Sequence, residues 1–152
     1  MPDHKRGFTQ RDEGYQVSNP ALASAYRDAA KFPPYEFDHE TQRFLIEVAI
    51  DVCARRGWKL HGASAERTHL HDLVSWRDGT RWAAVRGKIK NIMSLELSKR
   101  SGEVGRRWFV EEASRKRVER DAHFDYLKET YLPDHSGWCY DDARGWRPPR
   151  GT

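Results

Sequence analysis

Apolar residues recur with a helical period in a long segment before the middle of the chain. These residues are Phe44, Val48 and Val52, with Leu45 and Ala49 beside them. A spacing of four places side chains on one face of an amphipathic helix. Asp38 precedes the segment as a typical N-cap residue, and Gly57 follows it as a typical C′ residue. We therefore predict a helix over about 39–56, and we interpret the neighbouring Cys53 as a small core residue.

Two later segments are also predicted to be helices. The first follows Thr80, a residue type that caps helices, and ends near Gly102. Its apolar positions are Trp82, Val85, Ile89, Ile92 and Leu97. The second begins at Asp121 and ends before Pro133, because proline cannot continue a helix.

Shorter segments between the helices have the composition of strands. Residues 58–65 and 69–76 are separated by a short polar turn, and 108–111 and 115–118 are predicted to pair as a hairpin. The candidate for a first strand is Tyr15–Val17, which Pro20 would end soon afterwards.

Helices and strands that alternate in this way predict an α+β fold, with one sheet and helices packed on it. We place the folded domain at 15–140. Residues 1–14 are polar without an apolar period and are predicted to form a mobile N-terminal arm. Residues 141–152 are predicted to form a C-terminal tail across the surface.

Length and composition agree with one folded domain. The chain has 152 residues, of which 38% are hydrophobic and 12% aromatic, so we expect a single core. No apolar run reaches the roughly 20 residues of a membrane span, and the N-terminus lacks the apolar core of a secretory signal. Two cysteines are too few for a disulfide scaffold. We expect a soluble cytoplasmic protein with no membrane partner.

Positive charge is concentrated in the middle of the sequence. Residues 81–120 hold 12 basic and five acidic side chains, a net charge of +7, whereas the whole chain carries +4. A basic surface of this kind suits a polyanionic partner. From charge alone, a solvated helix face explains the same residues equally well.

The sharpest candidate for chemistry is His69-Leu70-His71. On a strand, residues two apart point to the same face, so both imidazoles would stand side by side while Leu70 enters the core. Two such imidazoles can bind one metal ion if another element supplies a third ligand. Alone, the pattern also fits two exposed strand histidines.

A tyrosine in the last helix is the second candidate. Tyr126 stands among Phe124, Leu127 and Leu132, where a packing role is equally compatible with its residue type. Tyr131 and Tyr140 offer the same phenol, and periodicity does not choose among the three.

The order of these features resembles the REP-associated tyrosine transposases, a family of HUH single-strand DNA transposases. The matching stretches are Arg56-Gly57-Trp58-Lys59-Leu60, Thr68-His69-Leu70-His71-Asp72-Leu73-Val74, Trp108-Phe109, Arg117-Val118, Phe124-Asp125-Tyr126-Leu127 and Leu132-Pro133-Asp134-His135-Ser136-Gly137-Trp138. The resemblance covers residues 38–140.

The resemblance implies a ferredoxin-like antiparallel sheet with helices packed on one face. It also implies cleavage and rejoining of single-stranded DNA at hairpin-associated sites. In that chemistry a tyrosine attacks the scissile phosphate and leaves a 5′-phosphotyrosine and a free 3′-hydroxyl. By position, Tyr126 is the catalytic nucleophile, and His69 and His71 are the metal ligands.

The metal implied by the resemblance is Mg²⁺ or Mn²⁺, of which Mn²⁺ accepts imidazole more readily. The family commonly places Gln or Asn one helical turn after the tyrosine to complete the metal shell. Here Thr130 occupies that position, whereas Glu129 at i+3 is a good ligand and shares the tyrosine's face in an α-helix. We predict Glu129 as the third ligand, although a solvated carboxylate fits that position too.

The expected partner is single-stranded or hairpin DNA, and the resemblance leaves open whether the chain acts alone or as a homodimer. The predicted DNA-binding residues are Arg86, Lys90, Arg106, Arg107, Arg115, Lys116 and Arg117. Trp82 or Trp108 could stack on a base or could be buried in the core. Two alternatives stay open: a catalytically inactive hairpin-binding protein derived from such a transposase, and a small metallohydrolase unrelated to DNA.

Overall fold

The hydrophobic periods of the sequence become two long helices that cover one face of a six-stranded sheet. The computed structural model describes residues 8–10, 35–103, 106, 108–109 and 116–151, with backbone alone at 8–10 and 116. The elements in chain order are β1 (Phe8–Gln10), α1 (His39–Arg56), β2 (Lys59–Ala65), β3 (Leu70–Ser75), α2 (Trp82–Ser101), β4 (Lys116–Val118), α3 (Asp121–Tyr126), a π-helical turn (Leu127–Tyr131), a 3-10 turn (Leu132–Asp134), β5 (Cys139–Asp141) and β6 (Gly145–Arg147).

The sheet has the strand order β4-β1-β3-β2-β5-β6, and every neighbouring pair is antiparallel. The mixture of helices with one antiparallel sheet confirms the expected α+β class. The two central strands, β3 and β2, are the longest, and they carry the residues on which both faces of the sheet are built.

The ends of α1 confirm the capping signals. The Asp38 carboxylate accepts a hydrogen bond from the Thr41 backbone N–H at 2.8 Å. At the other end Gly57 has a φ of 75°, and its N–H bonds back to the last turn. Only glycine adopts this left-handed conformation without strain, which is why the helix ends there.

The predicted cap of α2 is wrong by one residue. The N-cap position is Arg81, and no side chain caps the helix. Thr80 instead belongs to the preceding turn, where its N–H bonds Asp78 Oδ1 at 2.9 Å and its carbonyl accepts from Trp76 Nε1 at 2.6 Å. The C-terminal end lies at Gly102 as expected, with a φ of 77°.

Two apolar cores lie on opposite faces of the sheet. The larger one joins α1 and α2 to the sheet, and its buried members include Leu45, Ala49, Val74, Ile89 and Leu97. The smaller one joins the α3 region to the other face through Leu73, Val118, Phe124, Leu127 and Leu132. The expectation of helices on a single face therefore holds for the two long helices but not for α3.

The first strand lies in the segment that was predicted to be a mobile arm. Phe8–Gln10 pairs with both β3 and β4, so the arm prediction for residues 1–14 is wrong at this strand. A three-residue strand has no alternation to detect, and the ladders on both its sides hold it in place. The other candidate, Tyr15–Val17, lies outside the described residues.

The predicted hairpin of 108–111 with 115–118 also needs correction. Lys116–Val118 pairs with the distant strand β1. Trp108 is a core residue, 7% exposed, and its indole N–H donates to Ser98 Oγ at 3.0 Å. Burial is therefore the correct alternative for Trp108, and Trp82 is half-buried.

The C-terminal residues extend the sheet, where a surface tail was predicted from residue 141. Strands β5 and β6 form a hairpin that adds to β2. The connection to β5 passes so close to β2 that a Cβ on Gly137 would overlap the Ala65 carbonyl and the Gln42 side chain. Only glycine fits at this approach, and the folded domain continues to Arg147.

Both cysteines are buried and free. Burial raises the pKa of Cys53 to about 12, as expected of a packing residue in an apolar core. In the part of the chain that the structure describes, no helix is long and apolar enough to cross a membrane.

The α1 cap leads to a test of stability. We expect Asp38→Ala to lower the free energy of unfolding by about 1 kcal/mol, whereas Asp38→Asn keeps the hydrogen-bond acceptor and most of that stability. Hydrogen bonds from Thr41 lower the pKa of Asp38. The contribution of the charged cap is therefore complete above the unfolded carboxyl pKa and is lost as pH falls through the lower folded value. Urea unfolding at pH 7 and pH 3 measures it, and equal stability of Asp38→Ala and the parent at pH 7 would contradict it.

Candidate active site

The candidate site lies on the sheet face opposite the two long helices. Alternation along β3 sends Leu70 and Val74 into the core beneath α1 and α2, and it sends His71 and Leu73 to the other face. His71 is 5% exposed. His69, just before the strand, is exposed, and its ring lies parallel to that of His71 with 6.3 Å between centroids. The two histidines are therefore neighbours, as the strand period predicts.

Ser64 stands next to His71 on the adjacent strand. The two residues are register partners in the β2–β3 ladder, so their side chains share a face. Ser64 is fully buried, and its Oγ has no hydrogen-bond partner among the described residues. A buried hydroxyl without a partner is unusual and places a polar atom beside the histidines.

A bulge in β2 shapes the same face. The β2–β3 register shifts between Leu60 and Gly62, which leaves His61 as the extra residue. The His61 ring meets Phe124 edge-on at 4.9 Å, and its Nε2 lies 2.7 Å from Ser75 Oγ. A Cβ on Gly62 would lie 3.0 Å from Leu132 Cδ1, so the end of the last helix packs directly on the bulge.

The helix that carries the tyrosines contains a π-turn. Its α-helical part ends at Tyr126, and the Leu132 N–H bonds the Leu127 carbonyl five residues before it. A π-turn adds one residue to the turn, so position i+5 moves into the place that i+4 holds in an α-helix. Tyr131 consequently lies near Tyr126, with 6.3 Å between ring centroids.

Tyr131 is the phenol that contacts the histidines. Its ring meets His71 edge-on at 5.8 Å and His135 edge-on at 4.8 Å. The ring of His135 lies 4.5 Å from that of His71. We name these four residues, His69, His71, Tyr131 and His135, the His–Tyr cluster.

Tyr126, the predicted nucleophile, lies at the edge of the His–Tyr cluster. It is 52% exposed, and its ring contacts that of Tyr131 rather than a histidine. Its neighbours Phe124 and Leu127 are the residues that face the core. Tyr126 is thus open to a large substrate but is one ring further from the histidines than Tyr131.

Glu129, the predicted third ligand, points to the C-terminal hairpin. Its carboxylate pairs with Arg144, and both side chains are about half exposed. Within the described ranges, no group of three or more His, Cys, Asp or Glu side chains is placed to hold a metal ion. The structure therefore brings His69 and His71 together without bringing Glu129 to them.

The surroundings of His69 favour the neutral imidazole. Although the residue is exposed overall, desolvation of the ring lowers its pKa, and the nearby His135 adds to this effect while Glu66 opposes it. The Thr68 hydroxyl lies 2.7 Å from His69 Nδ1. His135 Nδ1 lies 3.1 Å from the Leu132 carbonyl, which it can bond as a donor. In both rings these contacts leave Nε2 for other partners.

An ion cluster ties the π-turn to the hairpin. Lys128 Nζ lies 2.8 Å from a carboxylate oxygen of Asp141 and of Asp142, and all three side chains are at most 19% exposed. Lys59 also pairs with Asp142 at 3.0 Å. Burial disfavours the charge on Lys128, but the two carboxylates outweigh it and raise the pKa of the lysine. The cluster holds the π-turn at one position along the sheet.

The predicted DNA-binding residues fall into different environments. Arg117 is exposed on β4 with Glu119 3.8 Å away. Arg86 and Lys90 are half-buried on α2, and the Arg86 guanidinium lies 5.5 Å from the centroid of the Trp82 ring. Arg107, Arg115 and the side chain of Lys116 lie outside the described residues.

Arg106 has an internal role instead. Its side chain is 8% exposed, bonds Glu103 at 2.8 Å and stacks on Tyr35 and Trp108 at 4.9 Å. A guanidinium enclosed in this way contributes to the packing around Tyr35 and Trp108. The arrangement does not present it to a phosphate.

His135 and Ser64 are site residues without a predicted role, and Tyr131 is only one of three tyrosines that the sequence offers as a phenol. The turn after Pro133, with its polar residues and Gly137, was the available signal for His135. Nothing local distinguished Tyr131, because its place depends on the π-turn. Comparison of the chain with protein-family models, curated proteins and solved structures finds no match.

Lys128→Met tests the ion cluster. The methionine keeps the length of the side chain but leaves Asp141 and Asp142 without their shared cation in a partly buried place. We expect the free energy of unfolding to fall by about 2 kcal/mol. The matched control is Glu129→Gln in the same turn, which removes an exposed pair and should change stability by less than about 0.5 kcal/mol. Equal effects of the two substitutions would contradict the role of the cluster.

His69 offers a test of the His–Tyr cluster by NMR titration. We expect its pKa below the usual 6.5, because desolvation and His135 disfavour its charge. The unfolded chain then binds this proton more readily, so the stability contributed by His69 falls as pH drops from 6.5 through the lower folded pKa. We expect His135→Gln to raise the pKa of His69. An unchanged value would mean that the two rings are not neighbours in solution.

Proposed function

We propose that this chain is a metal-dependent, transposase-like endonuclease that cleaves and rejoins single-stranded DNA at hairpin-associated sites through a 5′-phosphotyrosine. The observation that carries the proposal is the convergence of the His69–His71 pair with the tyrosines of one helix on the same face of the sheet. The histidines lie in β3 and directly before it, and the tyrosines lie in the helix more than 50 positions later in the sequence.

The order of the strands supports the same interpretation. Strands β4-β1-β3-β2 are adjacent in that order, with α1 between β1 and β2 in the chain and α2 between β3 and β4. Among the described elements this order is compatible with the ferredoxin-like sheet that the resemblance implies, and we propose that arrangement for the chain. The β5–β6 hairpin would then be an addition at one edge of that sheet.

The histidines fit part of the site that a divalent ion requires. Contacts at Nδ1 of His69 and of His135 orient the rings and leave Nε2 available, as in many metal-binding histidines. His69 and His71 are the residues that would hold Mg²⁺ or Mn²⁺. Such an ion, when bound, polarises a phosphate oxygen and orients the attack in line.

The chemistry requires a deprotonated phenol at the scissile phosphate. Tyrosine has a pKa of about 10 in water, so a neighbouring base must accept its proton as the oxygen attacks phosphorus. The His135 ring lies 4.8 Å from that of Tyr131, and its Nδ1 contact with the Leu132 carbonyl leaves Nε2 as an acceptor, so His135 is the base that we propose. The new bond joins the phenol oxygen to phosphorus, the bond to the 3′ oxygen breaks, and the leaving oxygen takes up a proton to become a 3′-hydroxyl.

Two phenols compete for the role of nucleophile. The resemblance assigns it to Tyr126, whose 52% exposure gives a nucleic acid direct access. The contact of Tyr131 with His71 and His135 favours Tyr131. We propose Tyr126 as the nucleophile and Tyr131 as the ring that connects it to the histidines.

The second candidate function is a hairpin-binding protein without catalysis. It is favoured by the pairing of Glu129 with Arg144, which commits the predicted third ligand to the hairpin. The burial of Arg106 does not distinguish the endonuclease from the hairpin-binding protein, because both functions need a basic surface formed by other residues.

A single-stranded oligonucleotide with one hairpin tests the proposal. In Mn²⁺ we expect the parent protein to form a covalent adduct that survives denaturing electrophoresis. Tyr126→Phe should abolish the adduct while binding stays within about twofold, because only the attacking oxygen is removed. Tyr131→Phe should slow adduct formation, and Tyr140→Phe, in the hairpin, serves as the matched control and should change nothing.

Each other outcome has a definite meaning. Loss of the adduct in Tyr131→Phe but not in Tyr126→Phe would transfer the nucleophile to Tyr131. Binding without cleavage in Mn²⁺ or Mg²⁺ would favour the inactive DNA-binding protein. Six phosphate contacts should weaken binding by about a thousandfold between 50 and 200 mM salt. Absence of salt-sensitive binding would contradict both functions.

A further inference from the structure

A groove on the helical side of the molecule lies on the face opposite the His–Tyr cluster. Its volume is about 530 Å³, and its walls are the outer face of α2, the end of α1 and the turn between β3 and α2. We name it the α2 groove. Its lining residues are Arg56, Trp58, Asp78, Thr80, Ala84, Gly87, Lys88, Asn91, Ile92 and Leu95.

The shape of the α2 groove follows one face of a helix. The α2 residues that line it recur at intervals of three and four from Ala84 to Leu95, which is the spacing of a continuous helical face. At a rise of 1.5 Å per residue this face is about 16 Å long. A groove of three turns alongside a helix has the dimensions that a second, short helix needs.

No contact among the described residues requires a glycine at position 87. Gly87 stands inside α2 with an ordinary helical backbone, and a Cβ built on it would meet nothing within 4 Å. Glycine in the interior of a helix lowers stability by about 1 kcal/mol relative to alanine. Together with exposed Ala84, it leaves a low surface on which the backbone of another helix can approach closely.

Leu95 gives the other end of the groove an apolar contact. It is 57% exposed, beside the half-buried Ile92. Only Leu95 and Tyr126 are exposed large hydrophobic residues in the described part of the chain. Ile92 and Leu95 both line the groove, so an apolar seam on a partner would pack against two neighbouring aliphatic side chains.

The charge of the groove selects an acidic partner. Among the described residues, Arg56 and Lys88 form no ion pair. Asp78 is already bonded by Trp58 Nε1 at 3.0 Å and by the Thr80 N–H at 2.9 Å. The two cations Arg56 and Lys88 outnumber the single carboxylate of Asp78, so the groove lining carries a net charge of +1, which carboxylates on a partner would complement.

Two other occupants fit less well. A second copy related by a twofold axis would bring Lys88 and Arg56 towards the same cations. Single-stranded nucleic acid binds exposed aromatic faces, whereas Trp58 is 7% exposed and its N–H is engaged by Asp78. From these observations we propose that the α2 groove docks an amphipathic helix of about three turns from a partner protein, with an apolar seam flanked by Glu or Asp.

The probe is a synthetic 18-residue helical peptide with a Leu/Ala seam flanked by Glu, and its matched form has Lys in place of Glu. Fluorescence anisotropy with the full chain at low salt measures binding. We expect the Glu peptide to bind and the Lys peptide to bind at least about tenfold more weakly, which corresponds to 1.4 kcal/mol. No binding, or equal binding of the two peptides, would overturn the proposal.

Three variants place the contact in the groove. We expect Lys88→Glu to weaken binding of the Glu peptide about tenfold. Lys99→Glu is the matched control with the same charge change near the end of α2, and it should have much less effect. Gly87→Ala should raise the thermal unfolding midpoint and weaken binding, because the added methyl group occupies the groove floor. Unchanged binding in Gly87→Ala, or equal loss in the two lysine variants, would contradict the docking site.

Two further measurements separate the alternatives. Analytical sedimentation compares the parent chain with Lys88→Glu. If the parent chain self-associates and Lys88→Glu does not, the groove binds a second copy of the chain. If single-stranded DNA displaces the peptide from the parent chain, and DNA no longer binds Lys88→Glu, the groove binds nucleic acid. Either result overturns the proposal, and neither depends on the Tyr126 chemistry, which lies on the other side of the sheet.

Discussion

The alternation of side chains along β3 is the constraint on which both halves of the molecule depend. Leu70 and Val74 bury themselves beneath the long helices, and His71 and Leu73 therefore face the α3 region. A shift by one residue would send the histidine into the apolar core, where its imidazole would need a new partner. Packing of the larger core therefore fixes the register of β3, and that register places His71 on the opposite face of the sheet.

The π-turn after Tyr126 is the second decisive feature. In an uninterrupted α-helix, Glu129 or Thr130 would lie below Tyr126; the extra residue brings Tyr131 there instead. Packing of Leu127 and Leu132 on the sheet and the ion cluster of Lys128 hold this geometry in place. The result is a face rich in aromatic rings and imidazoles. The Glu129 carboxylate, predicted as a metal ligand, instead pairs with Arg144 of the C-terminal hairpin.

Charge in this chain serves folding as much as recognition. The excess of basic residues in the middle of the sequence suggests one polyanion-binding surface, yet Arg106 is enclosed by aromatic rings and Arg86 lies against Trp82. The cations without ion pairs at the α2 groove belong to a different face from the histidines. Counting charges along a sequence reports the total but not the face on which each charge lies.

The sequence by itself determined α1, with both of its caps, the core strands β2 and β3, and the neighbouring positions of His69 and His71. These features depend on period, capping and alternation, which act over a few residues. Tertiary structure decided the pairing of Phe8–Gln10, the hairpin at the C-terminal edge, and the meeting of Tyr131 and His135 with His71. Short strands and a π-turn have no local pattern of their own, because contacts with residues far away in the chain provide their stability.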